Sequence, residues 1–455
     1  MSELIDFDPM ADQEEDEEEE EEYPVWYNLK NVDTRLFCRE FLEEMPMLCI
    51  GKQFFTVDGL VADEESIRKK IYEKLWPFFP NGLTNKTDML LDNLRLECYS
   101  PPLPMQTDRI HVRNGTYFLD GRFSPQKEFC LNRLPVSYNP EAASPERWLA
   151  FLDDLLIPED ILTLQEFIGY CLIPTTRAQK MLFLVGKGGE GKSRIGVVLY
   201  AIFGSNMNTS SLSKLESDKF SGANLQYILL MVDDDMQMEA LPKTNTIKSI
   251  VTAENPMDLE KKFKQSYQEK LYVRLLAFGN GTLQALYDRS VGFYRRQIIL
   301  TVKDRPENRI DDPFIADRMA AEAEGIFLWA LEGLARLTAN NYQFTLSSRT
   351  QENMKETVKD ANNIIEFLAS EGYVRFSADS EAATKDLFDT YKRWCGDNAY
   401  NSMSSRSFSN YLAQHTDEYD LEASNNIYLG GGKRCRGYRG IEVLDLPYMQ
   451  ERNNF

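Results

Sequence analysis

Apolar residues recur at helical spacing over Arg35 to Glu44 and Glu64 to Leu75, while the short piece Gln53 to Val57 reads as a strand. The Pro-rich run Ser100-Pro101-Pro102-Leu103-Pro104 marks a boundary, and Ile110 to Leu119 around Asn114-Gly115 predicts strand, turn and strand. Trp148, Phe151, Leu152, Leu155, Leu156, Leu162, Leu164, Phe167 and Ile168 keep helical spacing except around Pro158, which predicts a short bundle. Strand-like runs then alternate with helical or loop segments at Met181 to Val185, Tyr227 to Val232, Leu271 to Phe278 and Gln297 to Val302. That alternation predicts an α/β core around a mainly parallel sheet. Helical patterns at Phe327 to Leu337 and Thr350 to Ser370 lead away from it. Helices at Thr384 to Cys395 and Ser405 to Gln414, then a hairpin at Ile427 to Val443, predict a winged-helix-like end. The expected division is an acidic tail (1–23), an α+β domain without a legible role (24–108), a β unit and helical bundle (109–178), the α/β core (179–340), a helical linker (341–379) and the winged-helix-like domain (380–455).

Charge changes this picture in one place. The formal net charge is -21, but residues 1–22 hold 13 acidic and no basic side chains, so the remaining chain carries only -8. The Glu14 to Glu22 run repels itself and has nothing to bury, so a solvated tail is expected. The tail leaves open a second use, mimicking nucleic-acid charge or docking a replication or host protein through Leu4, Ile5 and Phe7. Cys38, Cys49, Cys98, Cys130, Cys171, Cys395 and Cys435 form no CxxC pair, and with two histidines in the chain a zinc site is not expected. No basic leader opens the chain, and no apolar run approaches the roughly 18–20 residues of a membrane span, so a cytoplasmic protein with no membrane partner is expected.

Candidate chemistry begins where the strand Met181 to Val185 runs into Gly186-Lys187-Gly188-Gly189-Glu190-Gly191-Lys192-Ser193 and then a helix near Arg194. This is the GxxxxGKS pattern in its required context. Glycines let the backbone amides of Gly186, Gly188, Gly189, Glu190 and Gly191 turn towards phosphates, Lys192 reaches the β and γ phosphates, and Ser193 is a Mg²⁺ ligand of bound ATP. Gly186, Gly188 and Gly191 also satisfy GxGxxG with Glu216 as ribose acid, but Lys192-Ser193 favours a triphosphate over a dinucleotide. Five apolar residues before Asp233-Asp234-Asp235 put carboxylates at the end of a neighbouring strand. Asp233 is expected to hold Mg²⁺ and Asp234 to polarise the attacking water, with Asp235 able to share either task. Asn280, closing the next strand, is the candidate to hold that water. Arg295 and Arg296, before Gln297 to Leu300, are candidate arginine fingers with Arg289 as a rival.

In this order the motifs resemble the superfamily 3 helicases, specifically the helicase half of the phage and plasmid primase family related to poxvirus primase-helicases. The likeness runs from about Ile110 to Leu337. It includes Tyr138-Asn139-Pro140, the segment Gln165 to Leu172, the GKGGEGKS loop, Val232 to Asp235, Ala277 to Gly281 and Phe293 to Leu300. The resemblance implies a modified AAA+ core assembled head to tail into a homo-hexamer, with Arg295 of one subunit at the phosphates of the next. It also implies a DNA-contacting hairpin, here Lys261-Lys262-Phe263-Lys264, of which Lys262 best matches the family's hairpin lysine. The KKFK run also reads as a solvated face. Arg406 and the hairpin residues Lys433, Arg434 and Arg436 are further DNA candidates. The implied activity is ATP-driven 3′ to 5′ movement on single-stranded and forked DNA in replication of a phage, plasmid or other mobile element. The alternative is an origin-binding initiator that uses ATP as an assembly switch. Residues 24–108 are too short for the primase domain of such relatives and hold no convincing carboxylate triad, so priming is not expected.

Overall fold

A computed structural model describes residues 23–236, 241, 243–262, 265–280, 291–307, 312–361, 363–398, 400, 402–429 and 433–444. The acidic run, Lys264 and Arg289 therefore lie outside the described residues. The chain divides into two compact units, 1–105 with 127–131 and 106–126 with 132–455.

In the first unit, helices Thr34–Glu44, Glu65–Leu75 and Leu83–Glu97 accompany a three-stranded antiparallel sheet, Met47–Ile50, Gln53–Thr56 and Gly59–Leu60. Asp33 starts the first helix by accepting from the amides of Arg35 (3.1 Å) and Leu36 (3.0 Å). Helix Leu83–Glu97, absent from the pattern-based reading, buries Leu90, Leu91 and Leu94 against Phe37, Phe41, Ile67 and Ile71.

The second unit opens with the predicted strand pair, Arg109–Val112 against Gly115–Phe118, extended by Phe123–Ser124. Helices α1 (Glu146–Leu155) and α2 (Pro158–Cys171) follow, and Pro158 falls in the first turn of α2, where its missing amide costs nothing. Then come β1 (Met181–Val185), α3 (Arg194–Phe203), β2 (Met207–Thr209), β3 (Leu230–Met236), β4 (Arg274–Gly279), β5 (Gln297–Thr301) and α4 (Ala323–Ala339). The five strands form one parallel sheet in the order β2-β3-β4-β1-β5. Successive residues of β1 serve opposite faces: Leu182 and Leu184 enter the core shared with α1 and α2, Met181, Phe183 and Val185 the core on the other side. Burial on both faces is why the strand reads as an unbroken apolar run.

Helix α4 lies close against α2. A Cβ on Gly169 would sit 2.4 Å from the Ala330 carbonyl oxygen, and one on Gly333 would sit 2.3 Å from that of Gln165. Buried Glu166 accepts from Arg336 Nε (2.6 Å), Thr345 N (2.7 Å) and Thr345 Oγ1 (2.8 Å), fastening the chain beyond α4 to α2.

Two expectations about the C-terminal part change. The segment expected as a linker is docked, because Asn353 on helix Ser348–Ala361 donates to Thr301 Oγ1 at 2.9 Å on β5. The last module also begins before residue 380. Helix Asn363–Ala369 and strand Val374–Ala383 share a core with helices Thr384–Asp397 and Ser405–Gln414 through Phe367, Tyr391, Trp394 and Phe408. Its antiparallel sheet runs Val374–Ala383, Lys433–Val443, Glu422–Leu429.

Candidate nucleotide-binding site

Between β1 and α3 the backbone takes positive φ at Gly188 (110°), Gly189 (80°) and Gly191 (99°), a region in which a side chain is strained. Glu190 braces this loop. Its Oε1 accepts from the amides of Lys187 (2.5 Å) and Gly188 (2.8 Å), and its Oε2 accepts from Lys192 Nζ (2.6 Å). Burial opposes ionisation of Glu190, but Lys192 and the loop amides outweigh it and hold the carboxyl below the usual carboxylate range.

A cavity of about 570 Å³ opens over the loop, lined among others by Lys192, Ser193, Asp234, Asp235, Asn280 and Arg305. Because β4 lies between β3 and β1, Asn280 at its end stands between the acidic strand and the loop. Gly186 lines a second cavity beside the loop, which also meets Asn280.

The acids divide differently from the expectation. Asp233 is buried, lies outside the cavity lining, and accepts from the Leu212 amide at 2.8 Å. Burial pushes its carboxyl above the usual range. Strand β3 runs through the acids to Met236, and its pairing with β4 shifts between Asp233 and Met236. This irregularity interrupts the alternation of the strand, so Asp234 and Asp235 both open onto the cavity. A Mg²⁺ ion held by one or two carboxylates, Ser193 and phosphate oxygens is compatible with this donor set. Among the described residues no group of three or more His, Cys, Asp or Glu is arranged to hold a metal by itself.

Arg295 and Arg296 do not join the cavity of their own chain. They precede β5, whose first residue pairs with Met181 and whose last pairs with Val185 beside the loop. A strand of this length puts them about 13 Å from the loop end of the sheet. Lys180 donates to the Arg295 carbonyl, and its ammonium pKa is lowered by burial and by the nearby charges of Arg295 and Arg296. Arg305 enters the cavity instead, four positions beyond the end of β5, with Nη1 at 3.3 Å from the Gly189 carbonyl oxygen. It stands in a loop without periodicity. The available signal was its position just past the C-terminal end of a strand beside the loop strand.

Structures of the C-terminal region of NrS-1 match this chain. One, an apo structure of residues 305–718 of that protein, has a TM-score of 0.52, 12% identity, and covers 91% of this chain and 100% of that one. Another, an A form apo structure, has a TM-score of 0.51, also 12% identity, and covers 90% and 100%. This chain has the fold of the NrS-1 C-terminal region. Two family models match shorter stretches. One is described as a family of unknown function, DUF5906, over residues 184–296, and the other as poxvirus D5 protein-like over residues 359–434. The first spans the glycine-rich loop to Arg296, and the second falls on the C-terminal module of the NrS-1-like fold. No curated protein matches the chain. Among the described residues no helix is long and apolar enough to cross a membrane.

The candidate DNA contacts lie on separate elements of this fold. Strands Met257–Leu259 and Tyr267–Glu269 form the hairpin that carries Lys261 and Lys262. Lys261 is engaged at its base, donating to Gln226 Oε1 at 2.9 Å with its ammonium 5.2 Å from the Tyr267 ring centre. Lys262 Nζ is 5.9 Å from the centre of the Phe220 ring. Arg406 is exposed on helix Ser405–Gln414. In the C-terminal sheet Lys433 begins the second hairpin strand, Arg434 lies over the Tyr428 ring at 5.5 Å, and Arg436 is exposed.

Proposed function

We propose that this chain is the ATP-hydrolysing motor of a replicative DNA helicase of the superfamily 3, modified AAA+ kind, acting in replication of a phage, plasmid or related element. The observation that carries the reading is the convergence of Lys192, Ser193, Asp234 and Asn280 on one cavity at the C-terminal edge of a parallel sheet. The likeness in fold to the NrS-1 C-terminal region and the poxvirus D5-like match over residues 359–434 support the family reading.

Loop amides and Lys192 bind the triphosphate. Ser193 with Asp234 or Asp235 holds Mg²⁺, which when bound neutralises phosphate charge. The open acid of the pair polarises the water that Asn280 orients, while Asp233 anchors the acidic strand through Leu212. Arg295 or Arg296 serves a neighbouring subunit, a role supported by their distance from the loop of their own chain. A head-to-tail interface that closes into a ring brings the two together. Lys262 and the C-terminal module, read as a winged helix, contact DNA. Hydrolysis then moves one strand through the ring, 3′ to 5′.

The test is ATP hydrolysis with and without single-stranded DNA. Wild-type protein hydrolyses ATP faster when DNA is added, and Lys192→Ala loses at least about 100-fold of the activity. Hydrolysis that persists in Lys192→Ala contradicts the site, and hydrolysis indifferent to DNA contradicts the helicase reading.

A further inference from the structure

Strands β1 and β5 part at a single rung, where the Val302 amide donates to the Val185 carbonyl at 2.9 Å. From there one chain becomes the phosphate loop and the other the segment Lys303 to Pro306, so both leave the sheet at the same edge. They touch again through Lys187 Nζ and Asp304 Oδ2 at 2.7 Å and through Arg305 Nη1 and the Gly189 carbonyl at 3.3 Å. A Cβ on Gly188 would lie 3.8 Å from the Asn280 amide, and one on Gly189 would lie 3.6 Å from Arg305 Nη1. Asn280 and Arg305 thus stand over adjacent residues at the middle of the loop.

We infer that Arg305 contacts the terminal phosphate of a nucleoside triphosphate bound to its own chain. This assignment rests on the proposed nucleotide site and adds to it a cation that needs no neighbouring subunit. The guanidinium already lines the cavity that holds Lys192 and Asn280. A phosphate oxygen is an ionised acceptor, and a guanidinium binds it more strongly than it binds a neutral carbonyl such as that of Gly189. The planar fork of an arginine suits two phosphate oxygens at once. Arg295 and Arg296, at the far end of β5, are left for action across a subunit boundary.

The experiment measures equilibrium binding of ATP, ADP and AMP, and steady-state hydrolysis, for full-length wild type, Arg305→Ala, Arg305→Lys and Lys192→Ala. Arg305→Ala is expected to weaken ATP binding about tenfold or more, ADP less and AMP within twofold, with Arg305→Lys recovering part of the loss. Its side chain is exposed, so unchanged thermal unfolding is expected and separates the effect from misfolding. Because the action is in cis, mixing Arg305→Ala with Lys192→Ala subunits restores no hydrolysis. ATP binding within twofold of wild type overturns the assignment if Lys192→Ala still loses it, and the nucleotide site then stands without Arg305. Retention in both variants overturns the site as well. An equal loss for ATP and AMP, or recovery on mixing, overturns the terminal-phosphate or the cis assignment respectively.

Discussion

Asp233 and Asp234 are neighbours in sequence, yet one is buried against the Leu212 amide and the other opens onto the cavity beside Lys192. Asp234→Asn is therefore expected to retain nucleotide binding and lose hydrolysis on the order of 100-fold, measured as turnover at saturating ATP. Asp233→Asn preserves the shape and an acceptor for Leu212, so its expected effect on turnover is several-fold at most. The reverse ranking contradicts the division of roles. His111 makes a different prediction at this scale. Its Nε2 donates to Gln106 Oε1 at 2.5 Å and its Nδ1 accepts from Thr116 Oγ1 at 3.0 Å, which satisfies the neutral ring. Burial, with the charges of Arg133 and Arg109, pushes its pKa from 6.5 down to about 4. The unfolded chain takes up this proton first, so the contribution is fully present above about pH 6.5 and falls as pH drops from there towards 4. Thermal unfolding should lose about 1 kcal/mol between about pH 7.5 and 5.5 from this group, and His111→Asn should flatten that slope. A slope unchanged by the substitution contradicts it.

At the scale of elements, the approach of α2 and α4 depends on bare backbone at Gly169 and Gly333. Gly169→Ala forces the helices apart, and a loss of about 1–3 kcal/mol in a denaturant titration is expected. The hairpin predicts a separation of functions. Lys262→Ala should leave ATP hydrolysis largely intact and stop strand separation, whereas undiminished strand separation removes the hairpin from the DNA path. Much of this scale was legible beforehand. Met181 to Val185 and Ser405 to Gln414 match their predicted bounds because the first is an unbroken apolar run that stops at Gly186 and the second keeps a helical period between clear ends. Helix Leu83–Glu97 was not legible, since threonine, asparagine and aspartate interrupt its apolar positions. The pairing shift in β3 was hidden as well. Three identical acids give no hint of which face each one takes until the partner strand is known. Strand Val374–Ala383 pairs at both ends with a shift between them and buries few residues, so no alternation announces it.

For the whole molecule, the site residues occupy one edge of the sheet and Arg295 and Arg296 the other, an arrangement that the proposed head-to-tail assembly would complete. Mixing inactive Arg295→Ala with inactive Lys192→Ala should restore part of the hydrolysis, because some interfaces then hold both groups intact. No recovery, with mixed assemblies verified, counts against Arg295 as the finger. Arg305 could not be anticipated from pattern alone, because its meaning depends on which strand lies beside the loop strand. The most direct test of the central claim is ATP-dependent separation of a short duplex carrying a single-stranded 3′ tail. Wild type should separate the strands and Lys192→Ala should not. A wild-type protein that hydrolyses ATP on this DNA while leaving the duplex intact contradicts the motor, and places the nucleotide in an assembly switch instead.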